Sequence, residues 1–413
     1  MIALEKTDPK IRQIIHNELI RQENELNLIA SENYVSKAIL EATGSVLTNK
    51  YAEGYAGKRY YAGCYFVDEA ETLAIERCKK LFGADHVNVQ PHAGSQANMA
   101  AYFAVLNPGD TILGMSLSEG GHLTHGHGVN FSGKFYKAVQ YKVNQETEHL
   151  DYDEIIKLVE THQPKLIIAG ASSYSRSIDF ATLAAIAHAH NALFMADIAH
   201  IAGLVAAKIH PSPVGYADII TSTTHKTLRG PRGGLLMSSQ KLADAVDKAI
   251  MPGLQGGPFM HVIAAKAVAF EQALKPDFVE YQKQILKNAQ MLCRTLQDLH
   301  YRIVAGGTDN HMFVVDLRSK KINGKQAQDA LIKAGITISR SCIPFDTEKP
   351  WITSGIRIGT PAITTRGMQE YEMGQIAHYI HDALLKHDND AALLEIREKI
   401  EELCKKFPIY SDK

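Results

Sequence analysis

An aspartate and a lysine, Asp197 and Lys226, each follow a short apolar run in the middle of the chain. The runs cover residues 193–196 and 219–222, and each has the length of one buried strand. If both strands lie in one parallel sheet, their carboxyl ends open on the crevice where such sheets bind ligands. We therefore expect the two side chains to converge on one site. A salt bridge between Asp197 and a surface cation is the alternative, and spacing alone does not decide between them.

An amine and a carboxylate at one crevice are the two groups that pyridoxal phosphate requires from a protein. The amine forms an imine with the cofactor, and the anion keeps the pyridine nitrogen protonated, so that the ring accepts electrons from a carbanion. Residues 223–234 place small hydroxyl residues around Lys226 and glycines after it, which suits close approach to a flat cofactor. A basic surface loop is the alternative interpretation of this segment.

Two further segments of the sequence are candidates for a phosphate site and for a metal site. Residues 91–98 precede a helical pattern and offer the backbone donors of a helix start, although an ordinary helix capped near Ser95 explains them too. No G-x-G-x-x-G or G-x-x-x-x-G-K-[ST] motif indicates a nucleotide. Three histidines, His122, His125 and His127, lie in a glycine-rich loop without the register of a known metal motif. We predict no metal, since an imidazole lying over an aromatic cofactor explains His122 equally well.

The elements that must position these residues alternate between short apolar runs and Ala-rich helical patterns. This alternation predicts an α/β fold with a largely parallel sheet covered on both faces. The candidate strands are residues 87–89, 111–115, 166–169, 193–196, 219–222 and 235–238.

The two ends of the chain do not follow this alternation of short apolar runs and helical patterns. A helix should open at Asp8 with Pro9 in its first turn, and its apolar stripe could dock on a partner subunit or on the chain's own core. After about residue 270 we expect a long helix capped by Asp277, strands at 312–317 and 336–340, and a helix at 326–333 between them. The predicted domains are 1–275, an arm with the large domain, and 276–413, a smaller α/β domain.

Composition excludes several classes of function. The 413 residues carry a formal net charge of -1, so no basic excess favours nucleic acid or a membrane surface. No signal-peptide pattern or membrane span is apparent, and the 5 cysteines form no C-x-x-C pair. We expect a cytoplasmic protein with reduced thiols, whose partners are small molecules or other protein chains.

Eight stretches, spread over essentially the whole chain, resemble the serine hydroxymethyltransferase family. They are L-I-A-S-E-N at 28–33, N-K-Y-A-E-G-Y at 49–55, G-K-R-Y-Y at 57–61, D-I-A-H-I-A-G-L at 197–204, T-T-H-K-T-L-R-G-P-R-G-G at 223–234, Q-G-G-P at 255–258, G-G-T-D-N-H at 306–311 and S-G-I-R-I-G-T-P at 354–361.

The resemblance implies a fold-type-I pyridoxal-phosphate enzyme that moves the hydroxymethyl carbon of serine to tetrahydrofolate, giving glycine and 5,10-methylenetetrahydrofolate. It also implies a large domain with a mostly parallel seven-stranded sheet, a smaller C-terminal α/β domain and an N-terminal helical arm. The active form would be a homodimer with shared sites, or a dimer of such dimers. The alternatives are a threonine aldolase or aminotransferase of the same cofactor class, and a catalytically silent binding protein.

The resemblance assigns roles to individual residues around the cofactor. Lys226 would carry the cofactor as a Schiff base, Asp197 would face the pyridine nitrogen, His122 would stack on the ring and His225 would tune the imine. The other implied cofactor contacts are Gly94 and Ser95 at the phosphate, Ser172 and His200 at the ring hydroxyl, Thr223, and Tyr51 and Gly257 from the neighbouring subunit.

The resemblance also implies contacts to the two substrates. Arg357 would clamp the carboxylate of serine, assisted by Ser31, while Tyr61 lines the site and Glu53 acts as acid and base at the hydroxyl. The implied folate contacts are Glu53, Tyr60, Leu117, Gly121, His122, Leu123 and Trp351. Ala93 departs from the family pattern, which commonly has a serine there, and so removes one hydroxyl donor from the phosphate loop.

Overall fold

The computed structural model describes residues 2–410. Its first helices are α1 (Ile2–Thr7) and α2 (Pro9–Asn24). The predicted start of α2 is confirmed, because the Asp8 carboxylate accepts a hydrogen bond from the backbone N–H of Ile11 at 3.1 Å. No residue of α2 is buried, and its apolar stripe stays between 38% and 61% exposed. The stripe therefore does not pack on the chain's own core.

The segment after the arm forms short elements before the main sheet. They are β1 (Leu26–Asn27), α3 (Lys37–Thr43), β2 (Gly54–Tyr55), β3 (Lys58–Arg59) and α4 (Tyr65–Phe82). Strands β2 and β3 form an antiparallel hairpin. The buried guanidinium of Arg59 anchors this hairpin through ion pairs with Asp68 at 2.8 Å and Glu71 at 2.6 Å.

A seven-stranded sheet forms the centre of the molecule, as the α/β fold class predicted. Its strands are β4 (His86–Asn88), β5 (Thr111–Met115), β6 (Lys137–Tyr141), β7 (Leu166–Ala169), β8 (Leu193–Asp197), β9 (Ile219–Thr223) and β10 (Gly234–Ser238). The spatial order is β4-β10-β9-β8-β7-β5-β6, and β10 runs antiparallel to both neighbours while the other pairs are parallel.

Helices cover both faces of this sheet, so its strands are continuous apolar runs rather than alternating ones. The helices are α5 (Gly94–Val105), α6 (Phe131–Phe135), α7 (Tyr152–His162), α8 (Phe180–Ala189), α9 (Ala202–Ala206), α10 (Ala243–Lys248) and α11 (Met260–Ala273). The six predicted strands are confirmed within one or two residues. The edge strand β6 was not predicted, because its half-exposed residues give no apolar run.

A second, antiparallel sheet occupies the C-terminal part, in the order β11-β12-β15-β14. The elements there are α12 (Pro276–Asp298), β11 (Arg302–Ile303), β12 (Met312–Asp316), α13 (Gly324–Lys333), β13 (Ile336–Thr337), β14 (Ser339–Ser341), β15 (Gly355–Gly359), α14 (Pro361–Thr365), α15 (Glu370–Leu385) and α16 (Asp390–Lys405).

Two expectations for this region need correction. Helix α12 begins at Pro276 with Lys275 as its cap, so Asp277 lies in the first turn and does not cap the helix. The strand predicted at 336–340 is two short strands, of which β13 pairs with β1. Leu26 and Leu28 consequently belong to the C-terminal core, and the domain boundary near residue 275 stays a prediction.

Short helical turns complete the described chain. They lie at Val46–Asn49, Leu117–Glu119, Leu123–His125, Gln240–Leu242, Ala249–Leu254, Val304–Gly306 and Arg318–Lys320. Within residues 2–410, every helix is too short or too polar to cross a membrane.

A buried arginine joins the end of the arm to the end of the chain. The side chain of Arg366 is 0% exposed and donates hydrogen bonds to backbone carbonyls on both sides. The acceptors are the carbonyl oxygens of Gln22, Glu23, Glu25, Cys404 and Phe407, at 2.7–3.2 Å. One cation thus satisfies the open carbonyls at the ends of α2 and α16.

We expect Arg366→Met to lower the free energy of unfolding by about 3 kcal/mol or more, because several buried carbonyls lose a charged donor. Urea denaturation measures this change. The exposed Arg294 on α12 gives the matched control, and Arg294→Met should change the free energy by less than about 0.5 kcal/mol. Equal effects of the two substitutions would contradict the role assigned to Arg366.

Candidate active site

The end of the central sheet brings the predicted aspartate and lysine into one cavity. Asp197 is the last residue of β8, and Lys226 follows the end of the adjacent parallel strand β9 by three residues. Both line a cavity of about 340 Å³. The other predicted site residues that line it are Ser31, Gly94, Ser95, His122, Ser172, His200, Thr223, His225 and Arg357.

The Asp197 carboxylate is held by a fixed set of donors. Its Oδ2 atom accepts from His125 Nε2 at 3.0 Å and from Asn98 Nδ2 at 2.9 Å. Its Oδ1 atom accepts from the backbone N–H of Ala199 at 3.0 Å. Burial by itself raises the pKa of Asp197, but the hydrogen bonds from His125 and Asn98, together with the electrostatic interactions with His125 and His122, outweigh burial and hold the pKa below its usual range. The cavity therefore contains a permanent negative charge.

The amine of Lys226 has a lowered proton affinity. Burial lowers its pKa to about 8, while the negative charge of Asp197 acts in the opposite direction and favours the ammonium form. Its backbone is fixed by Asn33, whose Nδ2 donates to the carbonyl oxygen of Lys226 at 2.9 Å. A lysine in this state has a larger neutral, nucleophilic fraction near neutral pH than an exposed lysine has.

Three of the histidines that line the cavity, His122, His200 and His225, are neutral at neutral pH. Burial lowers the pKa of His122 to about 4 and that of His225 to about 3. His200 is likewise shifted well below its usual pKa by burial, and its Nδ1 lies 3.3 Å from Nε2 of His311. His122 is oriented by a 2.7 Å hydrogen bond between Nδ1 and the hydroxyl of Thr124. These rings present uncharged aromatic walls to a ligand.

One end of the cavity is built to receive an anion. Helix α5 begins there at Gly94, and its N-cap residue, Ala93, makes no side-chain hydrogen bond to the helix. The first backbone N–H groups of a helix bind phosphate well when no side chain caps them. A Cβ atom on Gly94 would come within 2.7 Å of Thr223 Cγ2, so a larger residue would displace this turn.

A second anion-binding group enters the cavity from the C-terminal sheet. Arg357 on β15 donates from Nη1 to the carbonyl oxygen of Ser172 at 2.6 Å and from Nε to Ser339 Oγ at 3.2 Å. Burial lowers its pKa to about 10, so the guanidinium stays charged at neutral pH. The two hydrogen bonds fix the plane of a group that can bind a carboxylate through two N–H donors.

Four of the predicted site residues that lie outside this cavity, Tyr51, Glu53, Tyr61 and Gly257, form, together with Gly256, a surface cluster that is called the exposed cluster below. The rings of Tyr51 and Tyr61 meet edge to face at 5.3 Å, and the negative charge of Glu53 raises the pKa of Tyr61. A Cβ atom on Gly256 would lie 2.8 Å from the Glu53 carboxylate, and one on Gly257 would lie 2.9 Å from the Tyr51 ring. The exposed cluster faces solvent in a single chain.

The residues expected at the folate are dispersed along the surface. Leu117 and Leu123 are 37% and 41% exposed on the loop that also carries His122. Tyr60 and Trp351, on other segments, are 71% and 63% exposed. Gly121 is buried in that loop, where a Cβ atom would overlap the carbonyl oxygen of Met115. Of the expected folate contacts, only His122 lines the cavity.

Sequence reasoning overlooked two residues that control Asp197. The sequence pattern indicates His125 only as a possible metal ligand and Asn98 only as part of the helix start. Asn98 lies four residues after Gly94 on α5 and so shares its helix face, a spacing that could have indicated it. Within residues 2–410, no group of three His, Cys, Asp or Glu side chains is arranged to hold a metal ion.

Comparison with known protein families gives a match over most of the chain. The family described as serine hydroxymethyltransferase matches residues 4–380 of the chain. This range includes every residue that lines the cavity and the whole exposed cluster.

We expect Asp197→Asn to lower the pKa of Lys226 further, because the nearby negative charge that favours the ammonium is lost. The neutral fraction of Lys226 at neutral pH should then increase several-fold. The rate at which an amine-reactive reagent labels this residue, followed by peptide mass spectrometry as a function of pH, measures it.

The matched control is Asp218→Asn, which removes a carboxylate just before β9, at the opposite end of that strand. This variant should leave the labelling profile of Lys226 unchanged. A pKa that stays the same or rises in Asp197→Asn would contradict the electrostatic coupling between the two residues.

Proposed function

Because the chain belongs to the serine hydroxymethyltransferase family, whose members are pyridoxal-phosphate-dependent one-carbon transferases, we propose that it transfers the hydroxymethyl carbon of serine to tetrahydrofolate. The products are glycine and 5,10-methylenetetrahydrofolate, and the transfer is reversible. The protein would thereby serve one-carbon metabolism and glycine biosynthesis. The observation that carries this proposal is the ionised Asp197 in one cavity with the Lys226 amine, between two anion-binding ends.

The residues present fit pyridoxal phosphate. The uncapped start of α5 at Gly94 and Ser95, next to Thr223, would hold the phosphate. His122 would lie against the ring, and Lys226 would supply the amine that holds the cofactor through its aldehyde. The contacts to the ring hydroxyl would come from Ser172 and His200. A volume of about 340 Å³ is within the range of small-molecule sites.

When bound, the cofactor's pyridine ring supplies an acceptor for the electron pair released at the α-carbon of the amino acid. Asp197 would hold a proton at the ring nitrogen, which it can do because its own pKa stays below the usual range despite burial. Lys226, with its pKa lowered to about 8, can take up and release a proton near neutral pH. His225, adjacent in the chain and neutral, adds no competing positive charge beside this amine.

Arg357 would bind the carboxylate of serine or glycine. Its guanidinium is already oriented by Ser172 and Ser339, so little conformational entropy is lost when the substrate binds. Ser31, which lines the same cavity, would add a hydroxyl donor to the carboxylate. The amino acid is thereby positioned by its carboxylate, with its amino group directed towards the centre of the cavity.

We propose that a second copy of the chain completes each site, in a homodimer with shared active sites. The exposed cluster supports this proposal, because it holds the expected cofactor and serine contacts that do not line the cavity, and it holds them at the surface of one chain. From the partner, Tyr51 and Gly257 would reach the phosphate, while Glu53 would move the proton of the serine hydroxyl and Tyr61 would line the substrate. The exposed apolar stripe of α2 offers a further surface that such a partner can cover.

Tetrahydrofolate would bind against exposed apolar side chains on the loop that carries His122. Leu117 and Leu123 support this assignment, because they flank His122 on one loop. Gly121 would allow close approach, and Tyr60, Trp351 and Glu53 would complete the contacts.

A cytoplasmic location is proposed on the free thiols of all five cysteines, which are typical of a reducing compartment.

The purified protein, loaded with pyridoxal phosphate and supplied with serine, should form glycine rapidly only when tetrahydrofolate is added. The reason is that folate accepts the carbon that leaves serine. Glycine and 5,10-methylenetetrahydrofolate are measured together and should appear in equal amounts. Lys226→Ala should form neither product, whereas the surface variant Lys241→Ala should match the unmodified protein. Equal glycine formation without folate would instead indicate an aldolase.

Hybrid dimers test whether the active sites are shared. Lys226→Ala and Glu53→Gln are co-expressed with different tags, and dimers that carry both tags are purified. One site of each hybrid then combines an intact Lys226 with a Glu53 from the other chain. We expect about half of the wild-type activity per dimer, because one of two equivalent sites is intact.

The control hybrid combines Lys226→Ala with Asp197→Asn. Both residues line the cavity of their own chain, so both sites of this hybrid are damaged and it should be inactive. If the hybrid of Lys226→Ala and Glu53→Gln is equally inactive, Glu53 serves its own subunit and the proposal of shared sites is wrong.

A further inference from the structure

A buried lysine that takes no part in the proposed chemistry lies behind the anion-binding end of the cavity. Lys266 on α11 is 1% exposed. Its Nζ donates to three backbone carbonyl oxygens, those of Val89 at 2.6 Å, Gly234 at 2.8 Å and Pro91 at 3.1 Å. An ammonium has three donors and a neutral amine has only two, so this geometry matches the charged form.

The three carbonyls belong to the segments that support the start of α5. Val89 and Pro91 follow β4 and precede Gly94, while Gly234 begins β10. The same segments are tied directly, because the backbone N–H of Gly234 donates to the carbonyl oxygen of Pro91 at 2.9 Å. The ammonium of Lys266 therefore fixes the loop that leads into the anion-binding turn.

The backbone beside Lys266 has a glycine where a side chain would collide with the lysine. A Cβ atom on Gly233 would come within 2.5 Å of Lys266 Cε. Gly233 lies in the segment that follows Lys226, and its backbone N–H donates to His225 Nδ1 at 3.4 Å. Lys266 thus contacts both the loop before Gly94 and the loop after Lys226.

The charge of Lys266 is not cancelled by a direct acidic partner among the described residues. The buried carboxylate of Glu71, whose charge raises the pKa of Lys266, already bonds to Arg59 at 2.6 Å and to Gln90 Nε2 at 3.0 Å. Burial lowers the pKa of Lys266 to about 7, so its ammonium form is disfavoured in the interior and a nearby anion would favour it. Its charge also contributes to the lowered pKa values of His92 and His225. The field of Lys266 therefore reaches both loops at this end of the cavity.

We propose that Lys266 is a positioning residue for the phosphate of the cofactor, because its ammonium fixes the loop at 89–95 and places a buried positive charge behind the phosphate. The inference rests on the proposed binding of pyridoxal phosphate and adds a residue outside the cavity to that site. Lys266 then strengthens binding of the phosphate group and not of the pyridine ring.

A comparison of two ligands separates this role from a general effect on folding. The cofactor-free protein is titrated with pyridoxal phosphate and with pyridoxal, which lacks the phosphate, and binding is followed by absorbance. In Lys266→Met, the affinity for pyridoxal phosphate should fall about tenfold more than the affinity for pyridoxal, since only the former has the anion that Lys266 stabilises. Inorganic phosphate should also raise the melting temperature of the cofactor-free wild type more than that of the variant.

Two further variants keep the test decisive. Lys266→Gln retains hydrogen-bond donors without the charge, and it should lose the same preference for the phosphorylated ligand even where Lys266→Met folds poorly. Arg366→Met is the matched control, because it also removes a buried cation bonded to backbone carbonyls, but in the C-terminal region. That variant should lose stability and keep the wild-type ratio of the two affinities.

The possible outcomes separate this inference from the proposed function. An equal loss of affinity for both ligands in Lys266→Met and Lys266→Gln would overturn the inference and leave Lys266 a purely structural residue. If the wild type binds neither ligand, the proposed function fails. In that case, stabilisation by inorganic phosphate that disappears in both Lys266 variants would still support an anion site dependent on Lys266.

Discussion

The carboxylate of Asp197 stays ionised in the interior because donors from three parts of the chain converge on it. His125 comes from the loop after β5, Asn98 from the first turns of α5, and Ala199 from the segment after β8 itself. Burial alone would favour the protonated acid, and it would also favour the neutral amine of Lys226. The hydrogen bonds outweigh burial at Asp197 and keep its carboxylate ionised. The negative charge of Asp197 then limits how far burial lowers the pKa of Lys226. The protonation state of Lys226 therefore depends on the donors that keep Asp197 ionised.

The topology explains why these groups meet. Strands β8 and β9 are parallel neighbours, so the residues after them emerge at one edge of the sheet. Helix α5 starts at the same edge and brings both its free N–H groups and Asn98. The C-terminal sheet contributes Arg357 from β15, because the carbonyl oxygen of Ser172 and the hydroxyl of Ser339 hold that side chain over the cavity. Two sheets thus build one site, and each supplies one of its anion-binding ends.

Much of this arrangement could be predicted from the sequence, and the omissions have physical causes. Continuous apolar runs identify the buried strands, whereas the edge strand β6 has half-exposed residues and gives no such signal. Strand β15 also lacks a continuous apolar run, because it contains two glycines and the arginine that enters the cavity. The role of His125 depends on a contact with Asp197 across 72 positions, which no local spacing reveals. The position of Glu53 outside the cavity is equally invisible to a motif, because a motif does not state where a residue lies in the fold.

The charges that remain around the cavity explain which ligands it can accept. Lys226, Arg232 and Arg357 line it with positive charge, and Asp197 is the acidic residue among the lining side chains. The lining histidines with lowered pKa values, His122, His200 and His225, add no charge at neutral pH. Lys266 adds a further cation behind one end. A site with this excess of positive charge favours ligands with anionic groups at two separated positions, as a phosphorylated cofactor and an amino-acid carboxylate together provide. Because the side chains of Arg357 and Lys266 are fixed by hydrogen bonds before any ligand arrives, the energetic cost of burying these two cations is met during folding, and binding of an anionic ligand relieves it.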